Sequence, residues 1–188
     1  MTSETAPDEE YPARKVLVED HELVIRAIVE EEWEASTNRG SPGIFQRPNT
    51  SVTRIDAIGL QAGIELVKRD VERPGRPTRD VKGVGRISVE IIKAVGETPI
   101  PIRKPGPVIY LQVWEEKVKA SETHKGNEHH AEIVPYSNKE CTEEKSSVSL
   151  GYSRMLSKAL HVYAVDPNGT IIGETIPDEI KLSDSKGD

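Results

Sequence analysis

Two short segments about eighty residues apart hold side chains able to do chemistry. The first is Phe45-Gln-Arg-Pro-Asn-Thr-Ser-Val-Thr-Arg54; the second is His129-His130-Ala-Glu-Ile133. Arginine offers a planar fork of donors suited to a carboxylate or a phosphate. If Arg26 or Arg47 approaches Ser51 or Arg54, an anion site results. His130 is the acid–base candidate, because a histidine titrates near neutrality. A serine, arginines and a histidine on one pocket could bind a nucleotide or polarise a leaving group. The plainer reading pairs Arg54 with one of the many acidic side chains, lets Ser51 cap a turn and has His130 donate to a backbone carbonyl.

Other chemistry finds less support. His124, His129 and His130, with Glu128 and Glu132 nearby, have zinc-ligand types. Their spacing matches no closed metal site, and adjacent histidines on a strand face opposite ways. Gly83-Val-Gly85 lacks the third glycine and the long preceding strand of a dinucleotide fingerprint. No motif calls for a cofactor. Cys141 is the single cysteine and stands among Glu140, Glu143 and Glu144, whose charge opposes a thiolate. Arg73, Arg76, Arg79 and Lys82 recur every three residues and could meet phosphates without sequence specificity. No aromatic residue interleaves with them to stack bases.

The elements that must position these residues follow from periodicity. Leu23 and Ala27 share a helical face widened by Val24, Ile28 and Val29, which favours a helix over residues 21–36. A strand over 23–28 is the alternative, since Val and Ile are β-formers. Glu30 to Glu32 and Glu34 oppose the dipole at that helix's C-terminal end. Residues 38–49 form a loop and 51–55 a short strand. Asp56 caps a helix to Val71, with Leu60, Ile64, Val67 and Val71 at helical spacing. Residues 72–83 form a basic loop, and 84–87 a strand. Ser88 then suits an N-cap, with Gly96 as the stop. Residues 98–107 should be extended. Residues 108–114 form the most apolar strand, 117–128 a polar loop and 130–136 another strand. Residues 149–160 give a last helix with Leu150, Met155, Leu156 and Leu160 inward. Asp166-Pro-Asn-Gly169 between β-prone runs signals a hairpin. The alternation gives an α+β fold: a single domain over 14–173, with a small mixed or mainly antiparallel sheet and about three helices. A disordered acidic leader (1–13) and a polar tail (174–188) flank it.

The chain has 188 residues and a formal net charge of −7. That charge divides unevenly: residues 1–36 carry −8, 37–108 carry +6 and 109–188 carry −5. A nucleic-acid binder shows a domain-wide basic excess, and this chain confines its excess to the middle third. No apolar run reaches the ~18 residues that span a membrane, and the acidic N-terminus has no secretory pattern. A cytoplasmic location without membrane association is expected.

Arg26 with Trp33, then Phe45 and Arg47-Pro48, then Ser51-Val-Thr-Arg54, and last His130-Ala-Glu-Ile133 resemble a family of small uncharacterised bacterial proteins. Those proteins carry a Phe-x-Arg/Pro turn, a Ser-Val-x-Arg strand and a later His-Ala-x-Ile strand. Gly85-Arg-Ile-Ser-Val-Glu-Ile-Ile92 is similar to their strand followed by a helix. The likeness spans about residues 23–165. Thr50 departs from the family's leucine, and residues 102–128 read as an insertion. The resemblance implies a shared fold and site more than a function. Three functions stay open. The first is an accessory, protein-interaction domain without catalysis, which expects a protein partner. The second is a small nucleotide- or ADP-ribose-handling enzyme, with Arg26, Arg47, Ser51 and Arg54 holding the anion and His130 as acid–base group. The third and weakest is nucleic-acid binding through residues 73–86.

Overall fold

The first strong periodic segment folds as a strand. Residues 23–29 form β1 (Leu23–Val29), the centre of a seven-stranded sheet. Four of its seven residues are Val or Ile, whose branched Cβ suits the pleated sheet. Both faces of β1 are covered, so buried residues fall next to one another rather than in alternation, and this imitates a helical stripe. The acidic run ends the strand: Glu30–Glu32 form a 3-10 turn.

The structure is a computed structural model describing residues 16–72, 79–100, 108–122 and 124–179. The remaining elements are β2 (Trp33–Glu34) and β3 (Arg39–Gly40), paired as a small second sheet, then a 3-10 turn at Pro42–Phe45 and β4 (Thr50–Arg54). After them come α1 (Gly59–Val71), β5 (Val81–Ser88), α2 (Val89–Glu97), β6 (Tyr110–Glu115) and β7 (His130–Tyr136). The chain closes with α3 (Leu150–Ala159), β8 (His161–Val165) and β9 (Ile171–Thr175). The main sheet runs β6-β7-β4-β1-β5-β8-β9, antiparallel at every pairing, and the fold is α+β.

Helices cover both faces. On one, α2, α3 and the Pro42–Phe45 turn bury Val24, Ile28, Val52, Ile87, Ile133 and their neighbours against Ile44, Phe45, Ile92, Val95, Tyr152 and Leu156. On the other, α1 lays Ile64 and Val67 against Ile25, Val84, Tyr163 and Val165. The α1 stripe is as its periodicity predicts, but its start differs. The helix begins at Gly59, and Asp56 instead accepts the Leu23 N–H at 3.0 Å, tying α1's approach to the start of β1.

Smaller expectations divide similarly. The Ser88 hydroxyl caps α2 by accepting the Ile91 N–H at 3.3 Å. The helix passes Gly96 and ends at Glu97. Gly96 answers to packing, because a Cβ there would stand 2.9 Å from the Ile109 carbonyl oxygen. Leu150 is 43% exposed, and Tyr152 fills the inward position instead. The β8–β9 hairpin turns at Asp166–Gly169, with Gly169 at φ +85° where only glycine is unstrained. Strand β9 takes in residues 174 and 175, so regular structure extends past the expected domain end. The acidic leader 1–13, the extended stretch 101–107 and residues 180–188 lie outside the described residues. Among the described residues, no helix is long and apolar enough to cross a membrane.

One irregularity of the sheet decides where a ligand can go. Strands β1 and β4 register only at Val24 with Arg54 and Ile25 with Thr53. Beyond that point β4 keeps pairing with β7 as far as Thr50, and β1 keeps pairing with β5 as far as Val29. The two strands fork. A fork leaves backbone groups without their ladder partners, and such groups need others. Arg26 supplies one: its Nη1 donates to the Ser51 carbonyl at 3.0 Å.

Candidate functional site

The fork opens into a cleft of about 690 Å³. Its walls come from β1 (Ile25, Arg26, Ala27, Val29), β4 (Ser51, Val52, Thr53), the last turn of α1 (Val67, Asp70, Val71) and the loop between β6 and β7 (Val118, His124, Asn127). His130, Glu32, Arg47 and Arg79 complete it. Four of the residues singled out by type therefore share one cleft: Arg26, Arg47, Ser51 and His130.

The sheet register explains the meeting of Ser51 with His130. Strand β4 pairs with β7 so that Ser51 faces Glu132 and Thr53 faces His130. Residues directly opposite share a face, and Ser51 and Thr53 project together because side chains alternate along a strand. Ser51 and His130 are thus diagonal neighbours on one side of the sheet. His130 Nδ1 lies 2.7 Å from the Glu116 carbonyl oxygen. A carbonyl only accepts, so Nδ1 carries the proton, and in the neutral ring Nε2 holds a lone pair.

The arginines form the other end. Glu32 Oε1 lies 3.8 Å from Arg26 Nη2 and 3.7 Å from Arg47 Nη2, so one carboxylate serves two guanidiniums without a tight bond to either. Arg26 Nε is buried with no hydrogen-bond partner among the described residues. Burial pushes the Arg26 guanidinium below its usual value; Glu32 opposes that shift, and the charges of Arg47 and Arg79 add to it. Charge therefore accumulates at the fork faster than the protein neutralises it.

Arg54 is set apart from this group. It shares a face with Val52, opposite Ser51 and Thr53, and its guanidinium grips Glu22 in two places, Nε to Oε2 at 2.8 Å and Nη2 to Oε1 at 3.0 Å. Nη1 also donates to Glu115. The hydrogen bonds that Arg54 donates to Glu22, foremost, hold it above the ordinary arginine value. It lines a second, smaller cavity of about 300 Å³ with Glu22, Glu115, Glu128 and His129.

The loop over residues 116–129 is fastened to the end of α1. Asn127 Nδ2 donates to Asp70 Oδ2 at 2.8 Å, and Arg69 Nη2 donates to the Gly126 carbonyl at 2.5 Å. The Gly126 N–H donates to His124 Nδ1 at 2.8 Å, while His124 Nε2 stands 3.7 Å from Asp70 Oδ1. His124 is thus a structural member of the cleft wall. Among the described residues, no three His, Cys, Asp or Glu side chains converge as a metal ion would need.

The basic run disperses. Arg79 joins the cleft, Lys82 stands 3.8 Å from both Glu30 and Asp80, and Arg86 leans over the Tyr163 ring and bonds His161. Arg73 and Arg76 lie outside the described residues. The sequence marks neither Glu32, Thr53, Asp70 nor Asn127 as a site residue and gives Arg79 only as one of a basic loop. Only the local excess of positive charge over residues 37–108 hinted at Arg79.

The chain matches no family model, no curated protein and no solved structure. The cleft's geometry therefore carries the functional argument.

Proposed function

We propose that the cleft binds a small anionic ligand through Arg26, Arg47 and Arg79. One observation supports this most: three guanidiniums gather where the sheet forks against one loosely held carboxylate, Glu32, while the cleft's other carboxylate, Asp70, is paired with Arg69. A buried charge without full pairing is unfavourable, and a bound anion would offset that cost. The cleft volume lies within the range usual for small-ligand sites, roughly 300–1,000 Å³. Ser51 and Thr53 add hydroxyls, and His130 adds an acceptor at Nε2. The α1 wall supplies apolar contact through Val67 and Val71.

The test is isothermal titration with inorganic phosphate. Arg47 is half-exposed and bonded loosely to Glu32, so Arg47→Ala leaves the fold intact. Charge-assisted hydrogen bonds contribute roughly 1.5–3 kcal/mol, and half-exposure puts Arg47 at the lower end. Arg47→Ala should weaken phosphate binding about tenfold by that measure. Binding of equal strength in the variant would remove Arg47 from the site.

A second reading rests on the His130–Glu116 bond. That bond fixes the tautomer and leaves the lone pair on Nε2, which is how a general base is oriented. In that reading a bound ligand is also acted on, and His130→Gln abolishes turnover while binding survives. A purely binding role, in which the ligand governs a protein partner, predicts no turnover in either protein.

A further inference from the structure

We propose that the cleft's ligand is a phosphomonoester dianion carried on a non-aromatic body. The proposal rests on the anion-binding reading above and names the ligand class. Its first support is charge. Among the described residues, Arg26, Arg47 and Arg79 bring three positive charges to the fork and Glu32 returns one negative charge; the cleft's other carboxylate, Asp70, is paired with Arg69 at 2.9 Å, which leaves an excess of two. A carboxylate would leave half of that excess unmatched, whereas a phosphomonoester near neutral pH carries close to two charges. Glu32, at 3.8 and 3.7 Å, stays too far from both guanidiniums to occupy their donors. The donors of the half-exposed Arg47 are left for phosphate oxygens, and buried Arg26 adds its charge from beneath.

The second support is the shape of the remaining wall. Ile25 and Val29 from β1, Val67 and Val71 from α1, and Val118 from the loop give an aliphatic surface. Among the described residues no Phe, Tyr or Trp lines the cleft, and its only rings are His124 and His130. A nucleobase draws much of its affinity from stacking on aromatic faces, and here it would meet branched aliphatic side chains. The hydroxyls of Ser51 and Thr53 and the lone pair of His130 Nε2 suit a hydroxylated body instead.

Isothermal titration of the full chain with four probes tests this: inorganic phosphate, glycerol 3-phosphate, AMP and acetate. The proposal expects glycerol 3-phosphate to bind at least as tightly as phosphate, AMP to gain less than about threefold over glycerol 3-phosphate, and acetate to bind at least about tenfold more weakly than phosphate, one arginine contact's worth. AMP binding more than threefold tighter than glycerol 3-phosphate overturns the non-aromatic body. Acetate binding within tenfold of phosphate overturns the dianion. Arg47→Gln gives an independent check, since it lowers the excess from two charges to one. The preference for phosphate over acetate should shrink in that variant, and an unchanged preference contradicts the charge argument. No heat with any of the four anions sinks the anion-binding reading itself, an outcome distinct from a wrong choice among anions.

Discussion

Arg26 carries most of the account at the residue scale, because it answers two demands at once. Its Nη1 satisfies the Ser51 carbonyl that the fork leaves without a strand partner, and its charge sits against Arg47 and Arg79 with only Glu32 in opposition. A base whose folded pKa lies below its unfolded value is disfavoured in its charged form by folding. That penalty is fully present below the folded pKa and fades as pH rises through it toward the unfolded value. Removing a costly buried charge is often neutral or stabilising when a well-packed apolar group takes its place. Arg26→Met should therefore lose phosphate binding while its melting temperature stays near the wild-type value. A large fall in melting temperature would show that the bond to Ser51 outweighs the charge penalty. Arg54 makes the contrasting case. Its grip on Glu22 and Glu115 is structural, and Arg54→Ala should destabilise the fold by about 2 kcal/mol, since it strands two partly buried carboxylates. Chemical denaturation checks the stability, and titration should find phosphate affinity unchanged. Residue type alone could not separate these two arginines; both were candidates for the same anion and both lie on the Val24 face of the sheet, and the positions of Glu22 and Glu115 divide them.

At the scale of elements, the cleft depends on two strands that part and one loop that is pinned. The 116–129 loop reaches α1 through Asp70, which accepts from Asn127 and faces His124. Asp70→Ala should loosen that loop without unfolding the sheet. Hydrogen exchange should quicken at the Val118 and Asn127 amides, which bond each other's carbonyls at 3.0 and 2.8 Å, while β7 amides stay protected. Equal exchange in variant and parent would mean that Asp70 does not hold the loop. The Ser88 cap gives a simpler test: Ser88→Ala should lower stability by about 1 kcal/mol. Local signals of this kind were legible in the sequence. The Ser88 cap, the α1 stripe, strand 130–136 and the Asn-Gly turn each follow from a few neighbouring residues. Strand β1 was legible only as the alternative over residues 23–28, because burial on both faces removes the alternation that marks a half-buried strand.

At the scale of the whole molecule, the cleft is a product of long-range pairing. His130 stands opposite Thr53 across β4 and β7, with 77 residues between their numbers. Arg79 arrives from a loop and Glu32 from a 3-10 turn, and nothing local foretells their convergence. The uneven charge of the sequence was the one global sign: a basic middle third inside an acidic chain. The structure concentrates part of that excess at the fork and spends the rest on pairs such as Arg54 with Glu22 and Lys68 with Glu72. Binding that depends on three arginines should weaken as ionic strength rises, though less steeply than at an exposed site, because Arg26 is buried. The central claim is that the fork between β1 and β4 is an anion site. Isothermal titration of inorganic phosphate into the wild-type chain and into Arg26→Met tests it most directly. The account predicts saturable binding at one site per chain in the wild type and its loss in the variant; equal binding in both proteins, or none in the wild type, would contradict it.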